Sequence, residues 1–252
     1  MKKKESTLNW KHVTYIGIGL LLVLFSSGKV AYDNWDIQDA VQVAEQIHAT
    51  NNLTKNYQTL AELSDYDGQH QVVKINKNQP FFQQADLSLA QGGWQTFSNL
   101  DRLNRVGVAN ALLHRDLMPT EKRQSIASIY PTGWKQKKIS KDEMLYNRSH
   151  LIGFQFTGEN ANLRNLFTGT KALNQDEMSG YENEIAHYIR KSNNHVRYRV
   201  TPYFKGDELV ARGVEIEAQS VEDNDLRMNI FVYNVQPGYT IDYRTGSAVK
   251  TK

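Results

Sequence analysis

One histidine and two asparagines in the middle of the chain could together do chemistry. His150 ends a short run of apolar and β-favouring residues, and Asn165 and Asn174 fall within the next two structured segments. Asparagine disfavours helix interiors and rarely enters a core without a partner, so this polar group predicts a site. A neutral histidine can take a proton from water. The amide oxygen of asparagine suits magnesium, so the three residues together predict metal-assisted activation of water.

Each of these residues also has a structural explanation when it is considered alone. A lone histidine is more often a hydrogen-bonded structural residue, Asn165 could bond its own backbone in a turn, and Asn174 could cap a helix. Those explanations leave the combination unaccounted for. The joint spacing, with nine positions between the two asparagines (174 − 165), favours a site.

The same stretch has a family resemblance. The run Asn147-Arg148-Ser149-His150, followed by Asn165 and Asn174, resembles the DNA/RNA non-specific endonucleases of the ββα-metal class. The likeness is greatest to membrane-associated DNA-entry nucleases and secreted DNases of Gram-positive bacteria. It covers most of the chain after about residue 55, through NLDRLNRVGVANALL, DLMPTEKR, PTGW and YNVQPGYTIDYRTG. The family core is DRGH, so Asn147 replaces the aspartate here and Ser149 replaces the glycine.

The resemblance implies a role for each residue of the site. His150 would be the general base, and Asn174 would bind a single Mg²⁺ ion directly, with Mn²⁺ as an alternative. Asn165 would support His150, or a water of the metal shell, through a hydrogen bond. Arg148 would orient the phosphate or form a structural ion pair.

Glu182 has two competing interpretations. The resemblance implies that a glutamate eight positions after the metal asparagine (182 − 174) fixes a water of the metal shell. Ser179–Glu182 also matches a capping box, in which the glutamate bonds the backbone at the helix start. His187 and His195 are interpreted as surface residues. The sequence has no Walker-type glycine loop, GxSxG elbow or HExxH motif.

Basic residues before the site are candidates for binding nucleic acid. The resemblance makes Arg102 and Arg105 candidates for phosphate contact, and ion-paired surface residues are the alternative. A dense group of lysines could neutralise phosphates, or it could be a solvated charge run. These lysines are Lys135, Lys137, Lys138 and Lys141.

The composition is that of a folded domain with no cysteine chemistry. The 252 residues are 40% hydrophobic and 23% charged, which is ordinary for a globular chain. The net charge of +3 permits a polyanionic partner without requiring one. The absence of cysteine excludes disulfides, thiolate zinc sites and cysteine nucleophiles.

The N-terminus predicts a membrane segment. Lysines precede an uncharged run, Val13–Gly28, in the order typical of a signal peptide or signal anchor. The lysines favour a cytoplasmic N-terminus, with everything after residue 30 outside the cell membrane. Asp36–Ile47 has the apolar spacing of an amphipathic stalk helix. We expect an uncleaved single-pass anchor, and a secreted protein if the segment is cleaved.

The remaining pattern predicts an α+β fold with an antiparallel sheet core, a ββα-metal motif and the preceding N-terminal membrane helix. Three alternating segments predict half-buried strands that follow a helix. The helix is Glu182–Ile189, and the strands are Val196–Phe204, Leu209–Ala218 and Ile230–Val235. Earlier segments predict a helix at Leu60–Leu63, a strand at Gln71–Ile75, a mixed turn and helix at Leu100–Leu113, a helix start at Thr120–Arg123 and a turn at Pro131–Trp134.

The sequence therefore predicts three regions: 1–32 as signal anchor or signal peptide, 33–55 as helical stalk and linker, and 56–252 as the nuclease domain. The predicted function is an extracytoplasmic, metal-dependent, sugar-non-specific endonuclease that acts on DNA, with RNA as a further candidate substrate. Two alternatives stay open. One is a catalytically lapsed nucleic-acid-binding surface protein, and the other is a structural envelope protein.

Overall fold

The computed structural model describes residues 58–251. Within these residues Leu60 onwards belongs to one compact unit. The predicted membrane segment at Val13–Gly28 and the stalk helix at Asp36–Ile47 lie outside the described residues. None of the helices between residues 58 and 251 has the length and apolar character that a membrane crossing requires.

The described chain alternates short strands with a few helical segments. The strands are β1 (Val72–Lys74), β2 (Trp94–Phe97), β3 (Ala109–Leu113), β4 (Tyr146–His150), β5 (Leu166–Thr170), β6 (Val196–Tyr203), β7 (Gly213–Ser220), β8 (Arg227–Tyr233), β9 (Tyr239–Asp242) and β10 (Ser247–Lys250). Residues 58–61 are α-helical. The later α-helices are α1 (Phe154–Thr157) and α2 (Ser179–Ser192), and α2 continues directly from a π-helical segment, Ala172–Met178. Single 3₁₀ turns occupy Asn76–Asn78, Gln84–Leu87, Arg115–Leu117 and Leu163–Asn165.

A six-stranded antiparallel sheet forms the centre of the fold, in the order β1-β8-β7-β6-β3-β2. Side chains alternate between its two faces, as the period of two requires. Val196, Tyr198 and Val200 of β6 enter the main core, where they join Ile185 and Ile189 of α2. The predicted antiparallel arrangement of the last three long strands is confirmed, with β7 between β6 and β8.

The second face of the sheet is also covered, so the expectation of half-buried strands is wrong. Arg199 and Glu217 are paired across β6 and β7, with 2.5 Å between Arg199 Nε and Glu217 Oε2, and both are buried. The ring of Phe82 lies over the guanidinium groups of Arg197 and Arg199. The polar half of the strand pattern therefore marks a second buried layer, which can be buried because its charges are paired.

A separate two-stranded hairpin, β4–β5, precedes the π-helical segment and α2. The side chain of Asn234 joins this hairpin to the segment that leads into β7, in the six-stranded sheet. Asn234 Oδ1 accepts a hydrogen bond from the Thr170 backbone, and Nδ2 donates to the carbonyls of Thr168 and Ala211. Asn234 is fully buried, so these bonds are protected from competition by water. The strands β4 and β5 with the following helix form the ββα arrangement that the resemblance implied.

Three local predictions are wrong. A mixed turn and helix was expected at Leu100–Leu113, but residues 109–113 form β3. This strand pairs with β2 on one side and with β6 on the other. Thr120–Arg123 starts no helix. Ser179–Glu182 is no capping box, because the chain is already helical at Met178 and the Ser179 hydroxyl donates to the Gln175 carbonyl. The turn at Pro131–Trp134 is confirmed.

Candidate active site

The hairpin places His150 at the end of β4, where it pairs with Leu166 of β5. Tyr146, Arg148 and His150 share one face of β4 because alternate side chains point the same way. The loop 123–134 passes over this face. Arg123 reaches His150, and Trp134 lies against Arg148 and Tyr146. The strand β4 and the loop 123–134 therefore form one side of the surroundings of the histidine.

The imidazole of His150 is buried and held in one orientation. The residue is 6% exposed, and Nε2 lies 2.8 Å from the main-chain carbonyl of Asn160. Because a carbonyl oxygen only accepts, Nε2 carries the proton and Nδ1 is left as the acceptor. Burial lowers the pKa of His150 to about 4, the carbonyl of Asn160 opposes this shift, and the charge of Arg123 adds to it. His150 is therefore neutral near pH 7, and Nδ1, which faces Arg123, is the ring nitrogen that can accept a proton.

Arg123 is the residue of the site that the sequence analysis did not assign. Its Nη2 lies 3.4 Å from Nδ1 of His150, and its charge also acts on the carboxyl of Glu182. The guanidinium thus lies where negative charge next to the imidazole would be stabilised. Arg123 belongs to the stretch DLMPTEKR, which is one of the stretches that carry the family resemblance. The resemblance could therefore have pointed to Arg123, whereas the local pattern predicted only a helix start.

Glu182 lies near the turn that follows His150. Its carboxylate oxygens are so close to Gly153 that a Cβ there would meet Oε1 at 2.9 Å. Loss of solvation raises the pKa of Glu182 to about 8, against the opposing effects of a Gln155 hydrogen bond and the Arg123 charge. The charge of Arg123 therefore acts on both His150 and Glu182, and the catalytic interpretation of Glu182 stays a prediction.

Asn165 is fully buried, and its amide is bonded to the main chain. Its Oδ1 accepts from the Ile152 N–H at 2.8 Å, and its Nδ2 donates to the Ile152 carbonyl at 3.0 Å. The expected bond to His150 is not among these contacts. Asn165 instead fixes the backbone two residues after His150, which makes it a positioning residue for the imidazole.

Asn174 lies within the π-helical segment, eight residues before Glu182 on the same continuous helical run. Single-turn π-helices are frequent at functional sites. The segment is anchored at its start, where the Leu173 N–H donates to Thr170 Oγ1. The Asn174 side chain is only partly buried, and it forms no hydrogen bond with any residue between 58 and 251. Its amide oxygen is therefore available to a ligand.

The two departures from the DRGH pattern, Asn147 and Ser149, bury Asn147 Nδ2 and Ser149 Oγ without a hydrogen-bond partner among the described residues. Asn147 and Ser149 point to the opposite face of β4 from His150, because the strand has a period of two. Ser149 Oγ lies where a Cβ on Gly169 of β5 would be, so the missing side chain of Gly169 makes room for this hydroxyl. The Asn147 amide oxygen accepts from Gln175, the neighbour of Asn174, at 3.4 Å. A neutral amide thus lies beside the Asn174 segment in place of the family's carboxylate.

Arg148 does not point at the imidazole. Its Nε donates to the Ile129 carbonyl and its Nη2 to the Ala127 carbonyl. Its guanidinium carbon lies 4.3 Å from the Trp134 ring centre and 5.2 Å from that of Tyr130. These contacts hold the loop 127–134 on β4, and the predicted phosphate role of Arg148 stays a prediction.

The other predicted cations lie elsewhere. Arg102 pairs with Asp207, and Arg105 bonds Asp101 and the backbone at Gly206 and Glu208. These contacts match the ion-paired alternative. His187 is exposed as expected, and His195 is partly covered by His114 and paired with Glu222.

The four predicted lysines are exposed on the segment that leads into β4. Lys135 donates to Ser247 Oγ at 3.2 Å, and Lys137 to the Ala248 carbonyl at 2.9 Å. Lys138 and Lys141 are exposed beside them. The lysines therefore border the start of β4, and His150 lies at its other end, about 13 Å away at the rise of a strand.

Comparison with known proteins decides the family. A family profile described as DNA/RNA non-specific endonuclease matches residues 86–222, more than half of the chain. The chain belongs to the DNA/RNA non-specific endonuclease family. It is therefore an endonuclease that hydrolyses nucleic acid, and the predicted resemblance is confirmed.

Solved structures agree with this assignment. NucA from Streptococcus agalactiae with no metal bound is similar at 25% identity and a TM-score of 0.64, over 80% of this chain and 95% of that one. The magnesium-bound form of NucA, at 24% identity and a TM-score of 0.65, shares the fold over 80% of this chain and 96% of its own. The Sda1 nuclease with bound zinc ion is 25% identical with a TM-score of 0.57, over 63% of this chain and 80% of its own.

The contact between Arg123 and His150 predicts a shift in the pH profile. A base that works as neutral imidazole loses activity as the pH falls through its folded-state pKa, here about 4. Replacing Arg123 with glutamine removes a charge that disfavours the imidazolium, so the acid limb of kcat/KM should move to higher pH. Arg115→Gln, at an exposed arginine, is the matched control and should leave the limb in place. An identical limb in Arg123→Gln and wild type would exclude this coupling.

Proposed function

We propose that this endonuclease cleaves DNA, and RNA as a second substrate, by metal-assisted attack of water with His150 as the general base. One observation supports this most directly. The buried imidazole donates from Nε2 to Asn160, so Nδ1 is kept as the proton acceptor. This tautomer leaves Nδ1 as the acceptor that a general base needs.

The side chains fit a magnesium ion better than a metal of the zinc type. Within residues 58–251, no three histidine and carboxylate side chains form a group that could hold a metal ion. Magnesium needs few protein ligands and keeps several waters, and the partner-free amide of Asn174 can supply an oxygen. When bound, Mg²⁺ or Mn²⁺ would act as a Lewis acid and template for the phosphoryl group. Asn174 would hold it, with the Asn147 amide close to the same segment.

The residues of the chain divide the remaining work. His150 accepts the proton of the attacking water at Nδ1. Arg123 places a positive charge beside that position and favours the negative charge of the phosphoryl group. Glu182, whose pKa is raised to about 8 by loss of solvation, becomes a carboxylate when positive charge is close and can then orient water by hydrogen bonding. Asn165 keeps the turn after His150 fixed through both bonds to Ile152.

Recognition that depends on phosphates supports action without sequence preference. Phosphates carry no sequence information, whereas base edges do. The exposed lysines at the start of β4 provide cations for such contacts. Lys135 and Lys137 are bonded to β10, and Lys138 and Lys141 are exposed beside them. This arrangement supports a substrate strand that extends from His150 along β4.

We also propose that the enzyme is held outside the cell membrane by the segment Val13–Gly28. The proposal rests on the sequence, in which lysines precede an apolar run that Trp10 and Tyr32 flank as interfacial residues would. Sequencing the mature N-terminus in membrane and medium fractions tests it. A dominant soluble species that begins between residues 27 and 33 would make the enzyme a secreted nuclease.

The role of His150 is tested by replacement with alanine. We expect plasmid cleavage in magnesium to fall by about 10²–10⁴-fold, because a general base contributes that much to the transition state. DNA affinity, measured in chelator, should stay nearly unchanged because cations elsewhere bind the phosphates. His187→Ala, at an exposed helical histidine, should keep wild-type turnover. If the wild-type protein binds DNA and fails to cleave it, the lapsed-nuclease alternative is correct.

The role of Asn174 is tested by metal titration of two variants. Asn174→Ala removes the amide oxygen, so it should need a higher magnesium concentration for half-maximal activity and recover only part of the rate. Asn174→Asp keeps an oxygen and adds charge, so it should bind the ion at a lower concentration. Equal magnesium dependence in Asn174→Ala and wild type would remove this residue from the metal site.

A further inference from the structure

An exposed aromatic ring lies near the site and has no role in the chemistry described above. Tyr130 is 67% exposed, the largest fraction among the large apolar side chains of the described residues. A single exposed ring is ordinary on a protein surface, so only the position of Tyr130 and its contact with Arg148 can point to a role.

The loop holds this ring in a fixed position. Arg148 bonds the carbonyls of Ala127 and Ile129, the latter being the residue directly before Tyr130. The same guanidinium lies over the ring of Trp134 and over the ring of Tyr130. One face of Tyr130 therefore rests on a cation, and the exposure of the residue leaves its other face open.

The ring belongs to the loop that leads from Arg123, at His150, to the lysine segment. Arg148 precedes His150 by two residues on the same face of β4, a separation of about 7 Å along a strand. The loop runs from Arg123, at His150, to Trp134, whose ring is 6.4 Å from that of Tyr146. Tyr130 falls between these ends, and Lys135 follows Trp134 directly. An open ring thus lies on a loop that has cations at both ends in the sequence, and aromatic rings beside cations are a feature of surfaces that bind single strands.

We propose that Tyr130 stacks on an unpaired base of the substrate strand close to the scissile phosphate. A base has a flat face whatever its identity, so stacking fits an enzyme without sequence preference. The rings of a duplex are already stacked on their neighbours, so the contact serves single-stranded nucleic acid or a locally opened end. The inference rests on the proposed function, since it takes His150 as the point of cleavage.

The test compares Tyr130→Ala with Tyr130→Phe on a single-stranded oligonucleotide and on a duplex of the same sequence. For Tyr130→Ala we expect KM on the single strand to rise about tenfold with kcat within about twofold, because one base stack is lost. KM on the duplex should change much less. Tyr130→Phe keeps the ring and should behave as wild type. Val249→Ala, at a comparably exposed apolar residue on β10, is the matched control.

A second measurement locates the stacked base. A single abasic nucleotide is moved through the oligonucleotide, and wild type should cut poorly at one fixed offset from the gap, whereas Tyr130→Ala should cut evenly. Equal losses on single strand and duplex, or a Tyr130→Phe variant as impaired as Tyr130→Ala, would overturn the stacking role. Thermal melting shows whether Tyr130→Ala is folded, and Tyr130→Leu, which keeps apolar bulk without a ring, should match alanine in KM. A wild-type protein that cleaves neither substrate contradicts the proposed function, whereas cleavage unaffected by these variants contradicts only the stacking.

Discussion

The site depends on one buried hydrogen bond, from Nε2 of His150 to the carbonyl of Asn160. Burial alone would leave an imidazole free to take either tautomer and to rotate about its side-chain bonds. A main-chain acceptor at 2.8 Å removes that freedom, because a carbonyl cannot donate. The same burial disfavours the imidazolium and lowers the pKa to about 4. The imidazole is thus neutral near neutral pH, and the guanidinium of Arg123 lies beside its Nδ1.

Buried amides position this histidine without touching it. Asn165 bonds both backbone groups of Ile152, so it fixes the turn at the end of β4. Asn234 bonds Thr168, Thr170 and Ala211, so it fixes β5 against the segment that leads into β7. Each amide satisfies backbone groups that would otherwise be buried without partners, at a cost of about 1–3 kcal/mol for each. The position of His150 is therefore fixed by asparagines that act through hydrogen bonds to the backbone.

Several features followed from local sequence, and others did not. The strands β6, β7 and β8 were predicted because alternating side chains mark a strand wherever it lies. Their burial on both faces was missed, since only the placement of Phe82 over Arg197 and Arg199 shows that a second layer covers them. The strand β3 was mistaken for turn and helix, because its pairing with β2 and β6 is long-range. Arg123 was overlooked for the same reason, since 27 positions separate it from its contact with His150.

The sequence by itself determined the family and the α+β class, and it predicted the central histidine, because residue types and spacing survive when sequences diverge. It also placed Asn165, Asn174 and Glu182 in one region of the chain. Only the tertiary structure decided what each side chain contacts. Asn165 is bonded to Ile152, and Glu182 lies against Gly153. Asn174 has no hydrogen-bond partner among the described residues. The physical reason is that a hydrogen bond depends on distance and direction in space, and neither is encoded in the separation of residues along the chain.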